Sequence, residues 1–319
     1  MLLFYATKIL LLFEFTSLKW IIPIKKENTS DIVLFSDIKK TTNKKEAMSN
    51  VNFKEIEQSA YEKTPNNVFI EDVNLYSKNG IPLDKIVDFK DAGINYQRVN
   101  VGLKDKGNSD LSSRLLYEGE LENPEDVEYW KGTDINRYYV SEHTNRFCRK
   151  NIPLNKNEHV TLNEAYFNIQ PKLIWRQTAP HLICTIDYRG IWFGRSIQAG
   201  TIRPEYSSKV SYEYLCGLLN SKYIRHLYVK GVEEDDRPYP QVKLEKIKPI
   251  PVIIDNDQQQ PIIALVKEIL VAKKQDPQAD TSKLEKKIDL LVYHLYGLTF
   301  DEAKMIDETI TEEDFTAAK

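Results

Sequence analysis

The sequence predicts an α+β fold, an antiparallel β-rich half followed by a helical C-terminal half, and three observations predict it. Between residues 80 and 210, short runs of β-branched and aromatic side chains alternate with polar turns. After Val252, apolar residues recur at three- and four-residue steps behind helix-cap signals. Between these regions, Ser211 to Val252 passes from a helical apolar period into an extended, proline-marked segment.

The elements follow in chain order. Residues 1–38 hold two apolar segments, one ending at Ile24 and one at Ile32 to Phe35, joined by the polar KKENTSD. Lys8, Glu14 and Lys19 interrupt the first, so no uncharged stretch approaches the ~20 residues of a membrane-spanning helix. Ile9 to Phe13 is short for a signal-peptide core and no A-x-A-like site follows, so the segment reads as buried strand or helix. The polar TTNKKEAMSN reads as linker, and Asn52 to Lys63 as a short helix ended by Thr64-Pro65.

Ile81 to Phe89 opens the β-rich half, with Asp91 to Ile94 as a turn into a strand. Leu173 to Gln177 and Leu182 to Asp187 are strand candidates; Tyr188-Arg189-Gly190 turns the chain into Ile191-Trp192-Phe193, as in an antiparallel meander. Tyr212, Leu215, Leu219, Tyr223 and Leu227 share one face of a helix that Gly231 can stop, with Lys222, Arg225 and Lys230 on its polar side. An acidic run, Glu233 to Asp236, leads to Pro238 and Pro240. Val242, Leu244 and Ile247 then alternate with charged residues, and Pro249 and Pro251 suit an extended sheet edge. Ile262, Leu265, Val266, Ile269 and Leu270 form a stripe behind an Asp257/Gln260 cap. Leu284, Ile288, Leu291, Val292 and Leu295 follow a Ser282/Glu285 cap and end at Gly297, and Thr299/Glu302 starts a further helix.

The net charge is -3, but its distribution is uneven. Residues 128–230 carry 15 Lys and Arg against 8 Asp and Glu, while residues 231–319 carry 12 against 19. A basic middle suits contact with a polyanion, because steering depends on the patch rather than the total; a fluctuation in a charged chain is the plainer alternative. Cys148, Cys184 and Cys216 are odd in number and without CxxC spacing, so neither a disulfide framework nor a zinc site is indicated, and a reduced cytoplasmic compartment is the simplest reading.

Catalytic signals are thin. His143 with Cys148, or His181 with Cys184, could be drawn as metal pairs, but neither has a second pair to complete four ligands. Asp280 with Glu285-Lys286-Lys287 imitates nuclease spacing, although a solvated helix face explains it more simply. What remains is an inventory for binding. It comprises Lys131, Asn136, Arg137 and Tyr138; Trp175, Arg176 and Gln177; Trp192, Arg195, Ser196, Gln198 and Arg203; and Lys222 on the helix face. Arg and Lys reach phosphates and guanine edges, and Asn and Gln can pair with adenine. For each residue alone, a structural role is the competing reading, Trp175 and Trp192 above all.

LLNS at Leu218 to Ser221, IKPIPV at Ile247 to Val252, LVYHLYGLTFDEAKMI at Leu291 to Ile306 and KGTDINRYYV at Lys131 to Val140 together resemble the TaqI-like C-terminal specificity domain. This module belongs to adenine-N6 DNA methyltransferases and fused restriction–modification enzymes, and the resemblance covers roughly residues 80–308. It implies residues 1–38 as a remnant of a methyltransferase sheet, 39–79 as linker, 80–308 as the target-recognition domain and 309–319 as a tail. It further implies double-stranded DNA as partner, with Lys131, Asn136, Arg137, Tyr138, Arg176, Gln177, Arg195, Gln198, Arg203 and Lys222 as DNA-contacting candidates. DAGINYQRVNVG, where the family has a glycine-containing segment near DNA, departs in its details. Such an enzyme holds S-adenosylmethionine in a glycine-containing turn and grips adenine with an Asn/Asp-Pro-Pro-Tyr/Phe corner. This chain has no Pro-Pro pair and no GxG ahead of a helix. No catalytic residue, metal or cofactor is therefore expected here, and S-adenosylmethionine belongs to the parent enzyme. The rival readings are a specificity subunit serving a separately encoded methyltransferase chain, and a protein-interaction fragment without DNA affinity.

Overall fold

The computed structural model describes residues 2–6, 9–13, 19–25, 31–37, 54–57, 59, 80–90, 93–98, 109–231 and 241–318. The chain divides into two compact units, Met1–Asn79 with His226–Asp235, and Gly80–Arg225 with Asp236–Lys319.

In the first unit, β1 (Leu2–Ala6), β2 (Ile9–Phe13), β3 (Lys19–Lys25), β4 (Asp31–Asp37) and β5 (Lys54–Glu57) form a five-stranded sheet in chain order. Every pairing is antiparallel. The helix expected over Asn52 to Lys63 is instead β5 across Lys54–Glu57. Ile56 is buried between exposed Glu55 and Glu57, a period of two that suits a strand. TTNKKEAMSN, Thr64-Pro65 and the acidic run Glu233 to Asp236 lie outside the described residues.

The second unit is α+β. Its strands are β6 (Ile81–Pro82), β7 (Val87–Lys90), β8 (Asn95–Arg98), β9 (Leu116–Glu118), β10 (Val127–Trp130), β11 (Ile135–Asn136), β12 (Tyr139–Val140), β13 (Arg146–Cys148), β14 (Glu158–Thr161), β15 (Lys172–Arg176), β16 (Cys184–Asp187), β17 (Trp192–Phe193), β18 (Ile197–Ile202) and β19 (Pro251–Val252). One four-stranded sheet runs β16-β15-β18-β7 and is antiparallel throughout. A second runs β17-β10-β13-β9. The expected meander is corrected at β17, which leaves β16 and pairs parallel with β10, Tyr129 opposite Trp192. Between the sheets lies a core that includes Ile94, Leu115, Trp130, Phe167, Ile174, Trp192 and Phe193. Phe167 stacks on Trp192 at 4.9 Å.

The turn after β16 is built around a buried ion pair. Lys172 and Asp187 have fully buried side chains 2.7 Å apart. Lys172 Nζ also donates to the Phe167 and Ile169 carbonyls. Asp187 accepts from the N–H groups of Arg189, Gly190 and Ile191. Gly190, at φ +77°, supplies the left-handed residue that closes this turn.

The helices are α1 (Leu83–Ile86), α2 (Ser109–Leu115), α3 (Glu164–Phe167), α4 (Tyr212–Asn220), α5 (Lys222–Gly231), α6 (Leu244–Ile247), α7 (Asn256–Gln275), α8 (Ser282–Leu295), α9 (Phe300–Ile306) and α10 (Glu312–Ala317). The single amphipathic helix expected after Ser211 breaks at Ser221, whose extended backbone caps α4. The alternating Val242 to Ile247 stretch forms α6 rather than a strand. The expected extended edge is confined to Pro251–Val252, which pairs with Ile81–Pro82. Asp255, not Asp257, caps α7, and Thr281, not Ser282, precedes α8. The Thr299/Glu302 capping box is present as expected. A Cβ on Gly217 of α4 would come within 2.8 Å of Ile262 and 2.9 Å of Val266, so this glycine sets how closely α4 approaches α7. Among the described residues, no helix is long and apolar enough to cross a membrane.

Candidate functional site

The site is organised by a hairpin. β11 and β12 pair Ile135 with Val140 and Asn136 with Tyr139, leaving Arg137-Tyr138 as a two-residue turn. Tyr138 has φ +61°, a region favoured by glycine in such turns. Its ring is buried at 2% exposure, and its N–H donates to the Cys184 carbonyl. Burial pushes its hydroxyl well above the usual tyrosine pKa. Arg137 also turns inward. Its guanidinium donates to the Asn220 carbonyl at 2.9 Å and pairs with Glu285 at 2.6 Å, tying the hairpin to α4 and α8. Asn136 is exposed.

Around Asn136, hydrogen bonds join several neighbouring segments of the β half. Arg176 donates through Nε to the Ile135 carbonyl at 2.5 Å and through a terminal nitrogen to Asn136 Oδ1 at 2.7 Å. Gln177 N–H donates to the Ser196 carbonyl, and Gly132 N–H to Ser196 Oγ. Arg195 donates to Asn95 Oδ1 at 2.5 Å. Lys131 lies 3.1 Å from Glu118, in a pair whose side chains are 44% and 59% exposed. Lys131, Asn136, Arg176, Gln177 and Arg195 are thus brought together on neighbouring backbone segments. Their cations are held by neutral amides, carbonyls or one solvated carboxylate. The exposed Lys131–Glu118 pair contributes little to stability and exchanges readily for an anion.

Beside these segments opens a cleft of about 620 Å³, walled by Tyr96, Tyr117, Glu118, Tyr129, Lys131 and Arg195 among others. Tyr96 shares a hydrogen bond with Ser112 at 3.1 Å. Tyr117 packs against Phe147, stacked at 5.4 Å, and against the Arg149 guanidinium at 4.2 Å. Sequence reading overlooked Asn95, Tyr96, Ser112 and Glu118. The available signal was the alternation of Asn95–Arg98, which places successive side chains on opposite sides of a strand.

The remaining candidates lie elsewhere. Gln198 is buried at 3% and accepts from Trp175 Nε1 at 2.9 Å. Arg203 donates to the Asp84 carbonyl and lies 3.7 Å from Asp88. Lys222 pairs with Asp307 at 2.6 Å. Several cations of the basic middle are tied to local partners: Arg146 binds Asp134, Arg149 binds Glu122, and Arg189 binds two carbonyls. Trp175 and Trp192 are core.

The chemical alternatives also resolve into local contacts. Glu285 receives Arg137 and Thr281, Lys286 pairs with Asp314, and Asp280 accepts from Ser282 N–H. Among the described residues, no group of three or more His, Cys, Asp or Glu could hold a metal ion. The three cysteines are free and buried.

Residues 127–252 match the family model described as the TaqI-like C-terminal specificity domain. Among solved structures, similarity is found to the type IIL restriction–modification enzyme MmeI in complex with DNA, at 12% identity and a TM-score of 0.41, covering 89% of this chain and 42% of that one. It is also found to the HsdS subunit from Thermoanaerobacter tengcongensis, at 13% identity and a TM-score of 0.34, covering 75% of this chain and 49% of that one. This chain therefore spans less than half the length of either. No curated protein matches it.

Proposed function

Since residues 127–252 carry the TaqI-like C-terminal specificity domain, we propose that this chain reads double-stranded DNA as the target-recognition part of a restriction–modification enzyme. One observation supports the reading: hydrogen bonds link the backbone segments that carry Lys131, Asn136, Arg176, Gln177 and Arg195. These segments combine phosphate-seeking cations with amides able to pair with base edges. The parent activity we assign is N6 methylation of adenine. This chain positions the duplex, and a catalytic domain outside its residues, or on a separate methyltransferase chain, uses S-adenosylmethionine. The lack of a Pro-Pro corner supports that division of labour.

The test is fluorescence anisotropy on random and methylation-site duplexes across a salt series. Binding should weaken steeply with salt. Lys131→Ala and Arg195→Ala each remove one cation from the phosphates, so each should make the log–log slope shallower by ~0.9. Salt-independent binding, or unchanged binding in both variants and in Arg176→Ala, would overturn the assignment.

A further inference from the structure

Asn220 closes a ring of contacts that passes through two of the candidate DNA-contacting residues. It is the last residue of α4 and is 4% exposed, so its side chain lies out of reach of a bound duplex. The carboxamide meets Cys184 of β16, the outer strand of its sheet. Oδ1 accepts the Cys184 N–H at 3.0 Å and Nδ2 donates to the Cys184 carbonyl at 2.9 Å, so a side-chain amide takes the place of a neighbouring strand. The same carbonyl accepts the Tyr138 N–H of the β11–β12 turn at 3.0 Å. The backbone carbonyl of Asn220, left over where α4 ends, accepts from Arg137 at 2.9 Å.

The ring returns through the sheet. Cys184 stands opposite Trp175 in β15. The next residue, Arg176, donates to the Ile135 carbonyl and to Asn136 Oδ1, and Asn136 immediately precedes Arg137. Asn136 and Arg176 are an amide and a guanidinium of the kinds that pair with base edges. Asn220 is therefore the point at which the turn, β16 and α4 are joined. We propose that Asn220 is a positioning residue for base reading. Its carboxamide sets the β11–β12 hairpin against β15, so that Asn136 and Arg176 meet the duplex as one unit. Lys131 and Arg195 lie off this ring, so phosphate contact does not depend on it. This inference rests on the DNA-reading function above.

The experiment first selects a preferred duplex from a randomised pool with the unaltered protein. Anisotropy is then measured on that duplex and on random duplex. Asn220→Ala and Asn220→Asp should each narrow the selected-to-random affinity ratio on the order of tenfold, the scale of one lost bidentate base contact. Asn220→Asp is the closer isostere: it keeps an acceptor for the Cys184 N–H and loses only the donor to the carbonyl. The salt slope on random duplex should stay unchanged in both. In an Arg176→Ala background, Asn220→Ala should narrow the ratio no further, since the two act through one contact. Circular dichroism and urea midpoints show which variants fold.

A purely structural Asn220 would give a folded, less stable variant with the full ratio, and that result would overturn the positioning role. So would a shallower salt slope, or an equal loss of ratio with and without Arg176. In each of these cases the DNA reading stands. If neither variant folds, hydrogen exchange on the unaltered protein decides. The selected duplex should then slow exchange of the Tyr138 and Cys184 amides more than random duplex does, and equal exchange would overturn the role. A protein that binds no duplex, or that enriches no sequence from the pool, removes the DNA reading and this inference together.

Discussion

The guanidinium of Arg137 lies 2.6 Å from the carboxylate of Glu285 and also donates to the Asn220 carbonyl, so a residue of the β11–β12 turn is fastened to the helical half. Removing it strands a partly buried carboxylate and a helix-terminal carbonyl. Arg137→Ala should therefore lower stability by about 1–3 kcal/mol, the usual range for hydrogen bonds to charged groups. Urea unfolding reads this as a lower midpoint with an unchanged slope. Glu285→Gln should cost less, because the amide oxygen still accepts. Equal midpoints for Arg137→Ala and the unaltered protein would show that the ion pair contributes nothing.

The buried pair of Lys172 and Asp187 invites a sharper comparison. Both side chains are inaccessible, and Asp187 also holds three N–H groups of the following turn. Lys172→Met leaves an uncompensated buried carboxylate and should cost about 3–5 kcal/mol. In the double variant Lys172→Met/Asp187→Asn, the stranded charge is gone and one carbonyl oxygen still accepts from the turn. It should recover part of the loss. A double variant no more stable than Lys172→Met would place the stabilisation in the turn bonds rather than in charge balance.

Those two arrangements mark what the sequence could and could not reveal. Strands at Lys172–Arg176 and Cys184–Asp187 were legible because β-branched and aromatic runs announce strands, and Gly190 announced the turn. The Thr299/Glu302 box was legible because its signal is local. The destination of each arginine was not. Arg137 and Arg176 look alike in sequence, yet one is drawn to Glu285, far along the chain, and the other to Asn136 of β11. Such choices are made by tertiary packing across many residues, and composition does not encode them. The Leu244–Ile247 helix was misread for a related reason: four residues are too few to separate a helical period from an alternating one.

The pH dependence of stability should be shaped by two groups with opposite effects. Burial, together with the Arg225 and Arg137 charges, lowers the His181 pKa from 6.5 to about 4. Between those values the unfolded chain binds the proton and the folded chain does not, so His181 contributes stability that is full above pH 6.5 and lost as pH falls toward 4. Asp289 behaves in reverse. Burial raises its pKa from 3.8 to about 6, although it accepts the Lys222 N–H. The folded state then holds the proton longer, so stability from Asp289 is lost as pH rises from 3.8 through 6. Asp289→Asn keeps an acceptor for Lys222 and should leave a protein whose stability climbs more steeply from about pH 4 to 6.5. Thermal melts of both proteins at closely spaced pH values check this, and parallel profiles would refute the Asp289 contribution.

Gly93 is where the cleft's shape depends on the smallest side chain. A Cβ there would fall 1.8 Å from the Phe193 carbonyl oxygen, the same oxygen that accepts the Ile94 N–H at 2.7 Å. Backbone cannot yield as a flexible side chain does, so Gly93→Ala must push the Gly93-Ile94 segment away from β17 and break that hydrogen bond. The expected loss is at least the ~1–3 kcal/mol of an overpacked core position. Ile94 and Gly194 both line the cleft, so the displacement should also deform its wall. Gly93→Ala should therefore be less stable in urea and, where it remains folded, should bind duplex DNA less tightly. Gly119 is the control. It carries a positive φ, but a Cβ there meets nothing within 4 Å, so Gly119→Ala should show backbone strain without weaker duplex binding. A Gly93→Ala protein with full stability would mean that β17 and the segment before β8 do not approach as closely as this packing requires.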